Sequence, residues 1–479
     1  MAEVKQQSRS KKFAKDFGIY AIGNLGSRLL TAAMYPLYSY FVEDTSSFGQ
    51  FDLCLLICLL LTPVVTLQLR DGAFRFLLDN KDKEHRTRVV TYVYRTLFLS
   101  IVTTAVIALI ISLFFPYKYL WYTVALLVVM AIYEVVAQVI RGLENNKAFI
   151  TVGLSGSAGI TIFSIIFVVC LDMKVEGIFL ANILARIMAV VIVEARLKTL
   201  RRFFRIKADF RAISKDILKF SLPLIPVTMC GLLPPVSDRL FIQHFLGFEH
   251  AGIYSMAMKL AGLINILSMI FYKTWQENAI LQYNSSDRDK FFSNIFNGYV
   301  FLLAIVLIGY IFTIKICSFI IGPAYQQSIA YLLPVGIAWV MIAITNYFYI
   351  PYQCANDTKS SVPSVAIILC TNLVLNYLLV PRIGIYGVVV TSVCGNLLVQ
   401  LYLWHSTKQY FNLSVRKNTI VPILMIALSL IPFYLNPNRF FDFIYIIIAE
   451  VILLLLLPKD FKEEIASKIK KVTQKFRAT

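Results

Sequence analysis

The sequence predicts an all-α polytopic membrane protein with about fourteen transmembrane helices, grouped as two six-helix lobes plus two C-terminal helices. Three observations support this fold class. Hydrophobic residues make up 58% and charged residues only 15% of the 479 residues, whereas soluble domains are about 45–50% apolar and about 25% charged. Apolar runs of about 20 residues, the length that crosses a bilayer, recur along the whole chain. Basic residues are concentrated in every second connection between these runs.

The predicted spans follow one another with short connections, which leave no room for a soluble catalytic domain. The first run is too long for a signal-peptide core and has no small-residue cleavage site after it, so we expect it to remain as a signal anchor. In chain order the spans lie at about 17–41, 49–70, 89–114, 119–140, 149–171, 176–193, 217–244, 251–272, 293–320, 327–350, 362–380, 384–404, 419–435 and 440–457.

The basic residues give the orientation of the chain. Cytoplasmic loops of membrane proteins carry an excess of Lys and Arg. With the N-terminus in the cytoplasm, that side collects 36 of the 46 basic residues, and the outer loops hold five: Lys118, Lys174, Lys315, Arg382 and Arg439. Both termini are therefore expected in the cytoplasm. Most of the formal net charge of +19 is explained by this topology, so it does not indicate a nucleic-acid partner.

A basic middle loop, Glu194 to Lys219, separates six predicted spans from eight. The turn from Arg141 to Lys147 follows span four, and a similar turn from Gln353 to Lys359 follows span ten. Such a positional repeat is typical of transporters built from two related lobes. We predict an N-terminal lobe at 1–198, a basic cytoplasmic linker at 199–216, a C-terminal lobe at 217–405, two additional helices at 406–458 and a basic amphipathic cytoplasmic tail at 459–479.

No catalytic residue, metal ligand or cofactor-binding motif can be assigned from the sequence. The four histidines lie near loop ends without metal-ligand spacing, and the eight cysteines lie in or beside apolar runs without a CxxC pair. We therefore expect a protein that is not an enzyme and has no cofactor, apart from Na⁺ or H⁺ as a coupling ion.

Ionisable residues inside the predicted spans are the strongest functional signal, because each charge at mid-span costs about 2.5–3.5 kcal/mol. Five basic residues lie there: Arg28, Arg95, Arg186, Arg239 and Lys259. The intramembrane acids are Asp52, Glu134, Asp238 and Glu450. The basic excess favours a water-filled cavity that binds an anion, and arginine is well suited to phosphate oxygens. The alternative is that each arginine pairs with an acid and locks two helices together. Arg95 lies shallower and can extend its charge toward the cytoplasm.

Helix-breaking prolines occur in the same spans as several of these charges. Pro36 lies in span one, Pro63 in span two, and span seven carries four prolines: Pro223, Pro226, Pro234 and Pro235. Each proline removes an intrahelical hydrogen bond and favours a kink. Spans one and seven are thus both bent and charged, which suits an alternating-access gate.

Four sequence motifs resemble those of a known transporter family. They are FGIYAIGNLGSRLL at Phe17 to Leu30, SFGQFDL at Ser47 to Leu53, RGLENNKAF at Arg141 to Phe149 and IGIYGVVVTS at Ile383 to Ser392. With the fourteen spans, they resemble the polysaccharide or O-antigen flippases of the multidrug/oligosaccharidyl-lipid/polysaccharide (MOP) exporter superfamily. The resemblance covers nearly the whole chain.

The resemblance implies two six-helix lobes around a central cavity, and an activity that turns undecaprenyl-diphosphate-linked oligosaccharide from the inner to the outer leaflet of a bacterial inner membrane. The partners it implies are this lipid-linked oligosaccharide, membrane lipids and other polysaccharide-assembly proteins. By position, it implies substrate-binding residues at Arg28, Arg186, Arg239 and Lys259, with Asn24 and Arg95 beside them, and a cytoplasmic entrance at Arg70, Arg141 and Lys273.

Two other functions remain open at this stage. An ion-coupled exporter of drugs or organic cations would favour an acid in span one, which carries Arg28 and no acid; Asp238 and Glu134 keep coupling to Na⁺ or H⁺ open. A membrane enzyme that acts on lipid-linked sugars would need a sizeable outer loop, and the outer loops here have about five to ten residues.

Overall fold

The computed structural model describes residues 26, 30–200, 211–355, 357–435 and 438–458. Within these ranges the secondary structure is helical, and no β-strand occurs. The protein is an all-α polytopic membrane protein, as predicted. By its internal contacts the chain divides into two compact units.

Unit 1 comprises Met1–Gly252 together with Gly322–Ala324. Its described helices are α1 (residues 30–41), α2 (Thr45–Val65), α3 (Leu69–Asp79), α4 (Lys83–Phe114), α5 (Leu120–Gly142), α6 (Asn146–Ser164, continued by a π-helix at Ile165–Cys170), α7 (Lys174–Leu197), α8 (Arg211–Ser221), α9 (Leu224–Leu246) and the first residues of α10 (Phe248–Ala261).

Unit 2 comprises Ile253–Ile321 and Tyr325–Thr479. After the remainder of α10, its described helices are α11 (Leu263–Gln282), α12 (Arg288–Ile316), α13 (Ile329–Cys354), α14 (Val362–Ile383), α15 (Ile385–Thr407), α16 (Ile420–Leu435) and α17 (Arg439–Leu456).

Eleven helices in the described ranges are long and apolar enough to cross a membrane, and the bent pair α10 and α11 brings the number to twelve. Two of the fourteen predicted spans, the first and the last, are not among these twelve, each for its own reason. Residues 17–25 and 27–29 of the first run, 17–41, lie outside the described residues. Helix α17 carries three Arg, Asp or Glu residues, namely Arg439, Asp442 and Glu450, within its 18 positions.

The predicted lobe boundary, the linker at residues 199–216, includes residues 201–210, which lie outside the described residues, and it stays a prediction. The two units meet in sequence between Gly252 and Ile253, because α9, the predicted first span of the second lobe, packs on α2. The backbones of α2 and of the first residues of α10 lie close together, since a Cβ atom on Gly49 would be 2.7 Å from the backbone nitrogen of Gly252. Glycine at both positions lets the two backbones touch.

A sharp corner between α2 and α3 was not predicted from the sequence, which continued span two to residue 70. Helix α2 ends at Val65, two residues after Pro63. Leu67 and Gln68 then adopt left-handed backbone conformations with φ of 49° and 51°, which is costly for residues other than glycine. The corner turns the chain into α3 and so directs Arg70 toward α5.

The connection between α15 and α16 is fastened to unit 2 at two places. Buried Asn297 accepts a hydrogen bond from the backbone N–H of Arg416 over 3.0 Å. The Asp357 carboxylate accepts hydrogen bonds from the hydroxyls of Ser360 and Tyr410, each over 2.6 Å. These two hydroxyls hold the pKa of Asp357 below its ordinary value.

Candidate anion-binding site

Arg186 lies near the middle of α7 and has no acidic partner in the part of the chain that the structure describes. Its Nη1 donates hydrogen bonds to the backbone oxygen of Asn182 over 2.8 Å and to the Oδ1 of the same residue over 2.9 Å. Asn182 is four residues earlier and therefore on the same helix face. These contacts hold one edge of the guanidinium, and its other N–H groups donate to no described residue.

The surroundings of Arg186 come from two neighbouring helices of unit 1. Tyr133 and Glu134 of α5 and Cys58 of α2 lie within electrostatic range of the guanidinium. Helix α5 packs against α2 and α7, which explains how these side chains meet. The Glu134 carboxylate is engaged elsewhere, because it accepts a hydrogen bond from Nη1 of Arg70.

The Arg70–Glu134 ion pair joins α3 to α5 and is only partly shielded from solvent. The side chains are 26% and 24% exposed, so the pair can exchange partners with a ligand more readily than a fully buried one. A second acid, Asp71, lies 3.7 Å from the Nε of Arg70. The corner residue Gln68 donates to Asp71 over 2.6 Å and to the hydroxyl of Thr228 on α9 over 3.1 Å.

Arg239 forms a buried ion pair with Asp52, which is the helix-lock alternative that the sequence left open. Its Nε donates to Oδ2 of Asp52 over 3.1 Å, and the two side chains are 5% and 2% exposed. The pair joins α9 to α2. Asp238, the neighbouring candidate for ion coupling, is also buried.

The structure brings together only some of the predicted site residues. Arg70, Glu134 and Arg186 belong to one cluster in unit 1, whereas Lys259 on α10 and Lys273 on α11 belong to unit 2. Arg28 and Asn24 lie outside the described residues. Two further predicted site residues, Arg95 on α4 and Arg141 at the end of α5, also belong to unit 1.

Arg141 is held against aromatic rings at the end of α5. Its guanidinium carbon lies 4.6 Å from the ring centroid of Phe74 and 5.7 Å from that of Phe149, distances at which cation–π attraction operates. The predicted entrance residues Arg70 and Arg141 thus lie on helices that pack together, α3 and α5.

Lys315, one of the five basic residues predicted in the outer loops, lies in the last turn of α12 and pairs with Asp442 of α17 over 2.9 Å. It also donates to the backbone oxygen of Pro432 on α16 over 3.3 Å. The sequence did not indicate these contacts, because both partners are distant in sequence. Its position on the outer side stays a prediction.

Sequence reasoning missed Asn182, Tyr133, Gln68 and Thr228. Asn182 had a visible signal, since a polar residue four positions before an intramembrane arginine lies on the same face of a helix. The other three had none, because their positions depend on the α2–α3 corner and on packing between helices that are far apart in sequence.

The chain also matches a known protein family by sequence. Residues 13–275, more than half of the chain, match the family model described as "Polysaccharide biosynthesis protein". The chain belongs to this family. The matched segment contains the Arg70, Glu134 and Arg186 cluster and the Asp52–Arg239 pair, so the site lies within the part that defines family membership.

Solved structures share the fold of this polysaccharide biosynthesis family member. The lipid II flippase MurJ in an inward closed conformation matches with a TM-score of 0.70 at 17% identity, covering 93% of this chain and 99% of that one. An inward-facing multidrug resistance MATE family transporter of the MOP superfamily matches with a TM-score of 0.62 at 14% identity, covering 81% and 99%. The Vibrio cholerae MATE transporter VcmN in the bent form matches with a TM-score of 0.52 at 14% identity, covering 85% and 100%.

The family match confirms the resemblance to polysaccharide biosynthesis proteins, and the structural matches confirm the fold class. At such low identities the structural matches concern the fold alone. No curated protein matches the chain significantly by sequence.

Proposed function

We propose that the protein flips undecaprenyl-diphosphate-linked oligosaccharide from the cytoplasmic to the outer leaflet of a bacterial inner membrane by alternating access, for polysaccharide or O-antigen biosynthesis. The observation that carries this proposal is Arg186, a mid-span guanidinium held by Asn182 with no carboxylate partner among the described residues. Both termini lie in the cytoplasm in this proposal, and other polysaccharide-assembly proteins deliver and receive the substrate.

The physical argument concerns the cost of that charge. Arg186 is the thirteenth of the 24 residues of α7, so it lies near the middle of the membrane. An arginine there costs about 2.5–3.5 kcal/mol on insertion scales, and a sequence retains such a cost where the charge has a use. A diphosphate supplies several anionic oxygens, and the planar guanidinium can bind two of them at once.

Arg70 has a second role in this proposal. Its pair with Glu134 keeps it neutralised while no substrate is present, and the partial exposure of both side chains lets a phosphate oxygen replace the carboxylate. Because Glu134 also lies within electrostatic range of Arg186, the diphosphate would pass from one guanidinium toward the other. Arg141 and Lys273 would serve at the cytoplasmic entrance, and Arg28, Lys259, Asn24 and Arg95 stay proposed contacts.

The family and the shared fold support a transporter over a membrane enzyme. The family is named for polysaccharide biosynthesis, and one protein of this fold is named a lipid II flippase. An exporter of organic cations is the second candidate, because MATE transporters share the fold. Against it, the intramembrane acids Asp52 and Glu134 are both engaged by arginines. Ion coupling through Asp238 or Glu134 stays a prediction.

The test uses Arg186→Ala and Arg186→Lys in a strain that lacks its own flippase, with surface polysaccharide as the readout. We expect Arg186→Ala to abolish complementation and Arg186→Lys to restore a small part of it. Lysine keeps the positive charge but lacks the planar guanidinium that binds two oxygens at once. Arg382→Ala is the control, because Arg382 is an exposed arginine at the end of α14. Membrane levels of each variant are measured by immunoblot. Normal surface polysaccharide with Arg186→Ala would contradict the proposal.

A further inference from the structure

The interface between α12 and α17 in unit 2 contains two acidic side chains with different partners. Asp442, near the start of α17, forms an ion pair with Lys315, whose Nζ lies 2.9 Å from Oδ2 of Asp442. The Asp442 side chain is 1% exposed. Glu450, two helical turns further along α17, has no ion pair in the described part of the chain. The same helix thus holds one compensated carboxylate and one that is not.

Glu450 is seated against a glycine. A Cβ atom added to Gly309 of α12 would lie 2.7 Å from Oε1 of Glu450, so any larger residue at that position would displace the carboxyl group. The Oε1 atom is buried and has no hydrogen-bond partner among the described residues. The interface therefore provides space for the carboxyl group, and no basic side chain of the described residues forms an ion pair with it.

The position of Glu450 along α17 also disfavours the ionised form of its carboxyl group. It is the twelfth of 18 residues in α17, about 17 Å along the helix axis from the first residue at 1.5 Å per residue. An ionised carboxylate at such a depth is unfavourable unless it is paired or hydrated. A carboxyl group in this position is stable when it carries a proton.

The other titratable groups on the packed helices are already engaged. Tyr310 of α12 donates to the backbone of Leu260 over 2.6 Å, and Tyr445 of α17 donates to the backbone of Met425 over 3.3 Å. The remaining groups on α12, α16 and α17 near this interface are Lys315, paired with Asp442; Tyr434, bonded to the backbone of Ala330; and Arg439, bonded to Ser318.

We propose that Glu450, seated on Gly309, is a proton-binding site of unit 2. The carboxyl group carries its proton while α12 and α17 are packed. When the helices part and water reaches the group, the O–H bond breaks, the electron pair stays on the carboxylate oxygen and the proton passes to water; repacking reverses the step. This site is separate from Asp238 and Glu134 of unit 1, and it does not depend on which substrate is transported.

The first test labels the purified full-length protein with dicyclohexylcarbodiimide, which adds to protonated carboxyl groups. The acid proton goes to a carbodiimide nitrogen and the carboxyl oxygen to the central carbon, and the adduct rearranges to a stable N-acylurea that retains the whole reagent. Peptide mass spectrometry near neutral pH should find Glu450 labelled about ten-fold faster than Glu134, which is ion-paired with Arg70. Gly309→Ala should reduce the labelling of Glu450 by a similar factor. Equal or slower labelling of Glu450 overturns the proposal.

The second test needs no reagent. Because the folded state favours the neutral carboxyl group, its contribution to stability is present at low pH and is lost as the pH rises. Starting from about pH 4.3, where a glutamate in the unfolded chain titrates, the thermal midpoint of the wild type should therefore fall as the pH rises toward neutrality, and Glu450→Gln, which resembles the neutral acid, should remove part of that fall. Glu249→Gln, at an exposed carboxyl group of α10, is the matched control and should keep the wild-type dependence. An unchanged pH dependence in Glu450→Gln refutes the assignment.

Discussion

Breaking the Asp52–Arg239 pair from one side should strongly destabilise unit 1. The perturbation is Asp52→Asn, which keeps the shape of the side chain and leaves the Arg239 charge without its carboxylate. The two side chains are 2% and 5% exposed and their atoms are 3.1 Å apart. Coulomb's law gives an attraction of about 5 kcal/mol at that distance with an effective dielectric constant of about 20. Desolvation cancels much of this in the intact pair, but the single variant retains the buried charge, so we expect a loss of about 3–5 kcal/mol.

The assay is thermal unfolding of the purified protein in one detergent at one pH. For domains of about 150–250 residues, 1 kcal/mol corresponds to about 2–4 °C, so the midpoint should fall by about 6–20 °C. The double variant Asp52→Leu/Arg239→Met is the control, because replacing both partners with apolar residues of similar size is commonly neutral or stabilising. It should lie within about 1 kcal/mol of the wild type. A midpoint for Asp52→Asn within 2 °C of the wild type would refute the helix-lock reasoning.

Three further outcomes are expected. Gly49→Ala should lower the thermal midpoint by the equivalent of about 1–3 kcal/mol, since the new Cβ atom would lie 2.7 Å from the backbone nitrogen of Gly252; a midpoint equal to that of the wild type would argue against the close approach. The lowered pKa of Asp357 means that its hydrogen bonds are intact at neutral pH and are lost as the pH falls through a value below 3.8, so hydrogen exchange in residues 408–418 should accelerate at about pH 3 relative to the intrinsic rate. Single cysteines in place of Ser46 and Lys359 should react with an impermeant maleimide from opposite sides of the membrane, and labelling of both from one side would contradict the topology.

Hydropathy predicted the membrane helices well because the need to bury backbone polar groups in lipid leaves helices as the available structure. It predicted their ends less well. Helix α4 begins at Lys83 rather than near residue 89, and α11 continues to Gln282 rather than to residue 272. In both cases the hydrogen-bonded helix extends beyond the apolar stretch into more polar sequence, where hydropathy gives no signal.

The partners of the intramembrane charges were largely beyond sequence reasoning. Asp52 and Arg239 are 187 residues apart, and nothing in either local sequence indicates that α2 and α9 pack together. Arg186 and Asn182, four residues apart, could have been paired from the helix period alone. The sequence therefore identifies which charges need an explanation, and the packing decides which of them are structural and which are available to a ligand.

The contacts of Lys315 have a consequence for how the chain is made. This lysine of α12 binds Asp442, which follows it by 127 residues, and it also contacts the backbone of Pro432 on α16. During synthesis the lysine is made long before Pro432 and Asp442, so these two contacts can form only after α16 and α17 have been inserted. A chain shortened before α16 would lack both contacts. Helices α16 and α17 thus supply the partners that hold the end of α12 in unit 2.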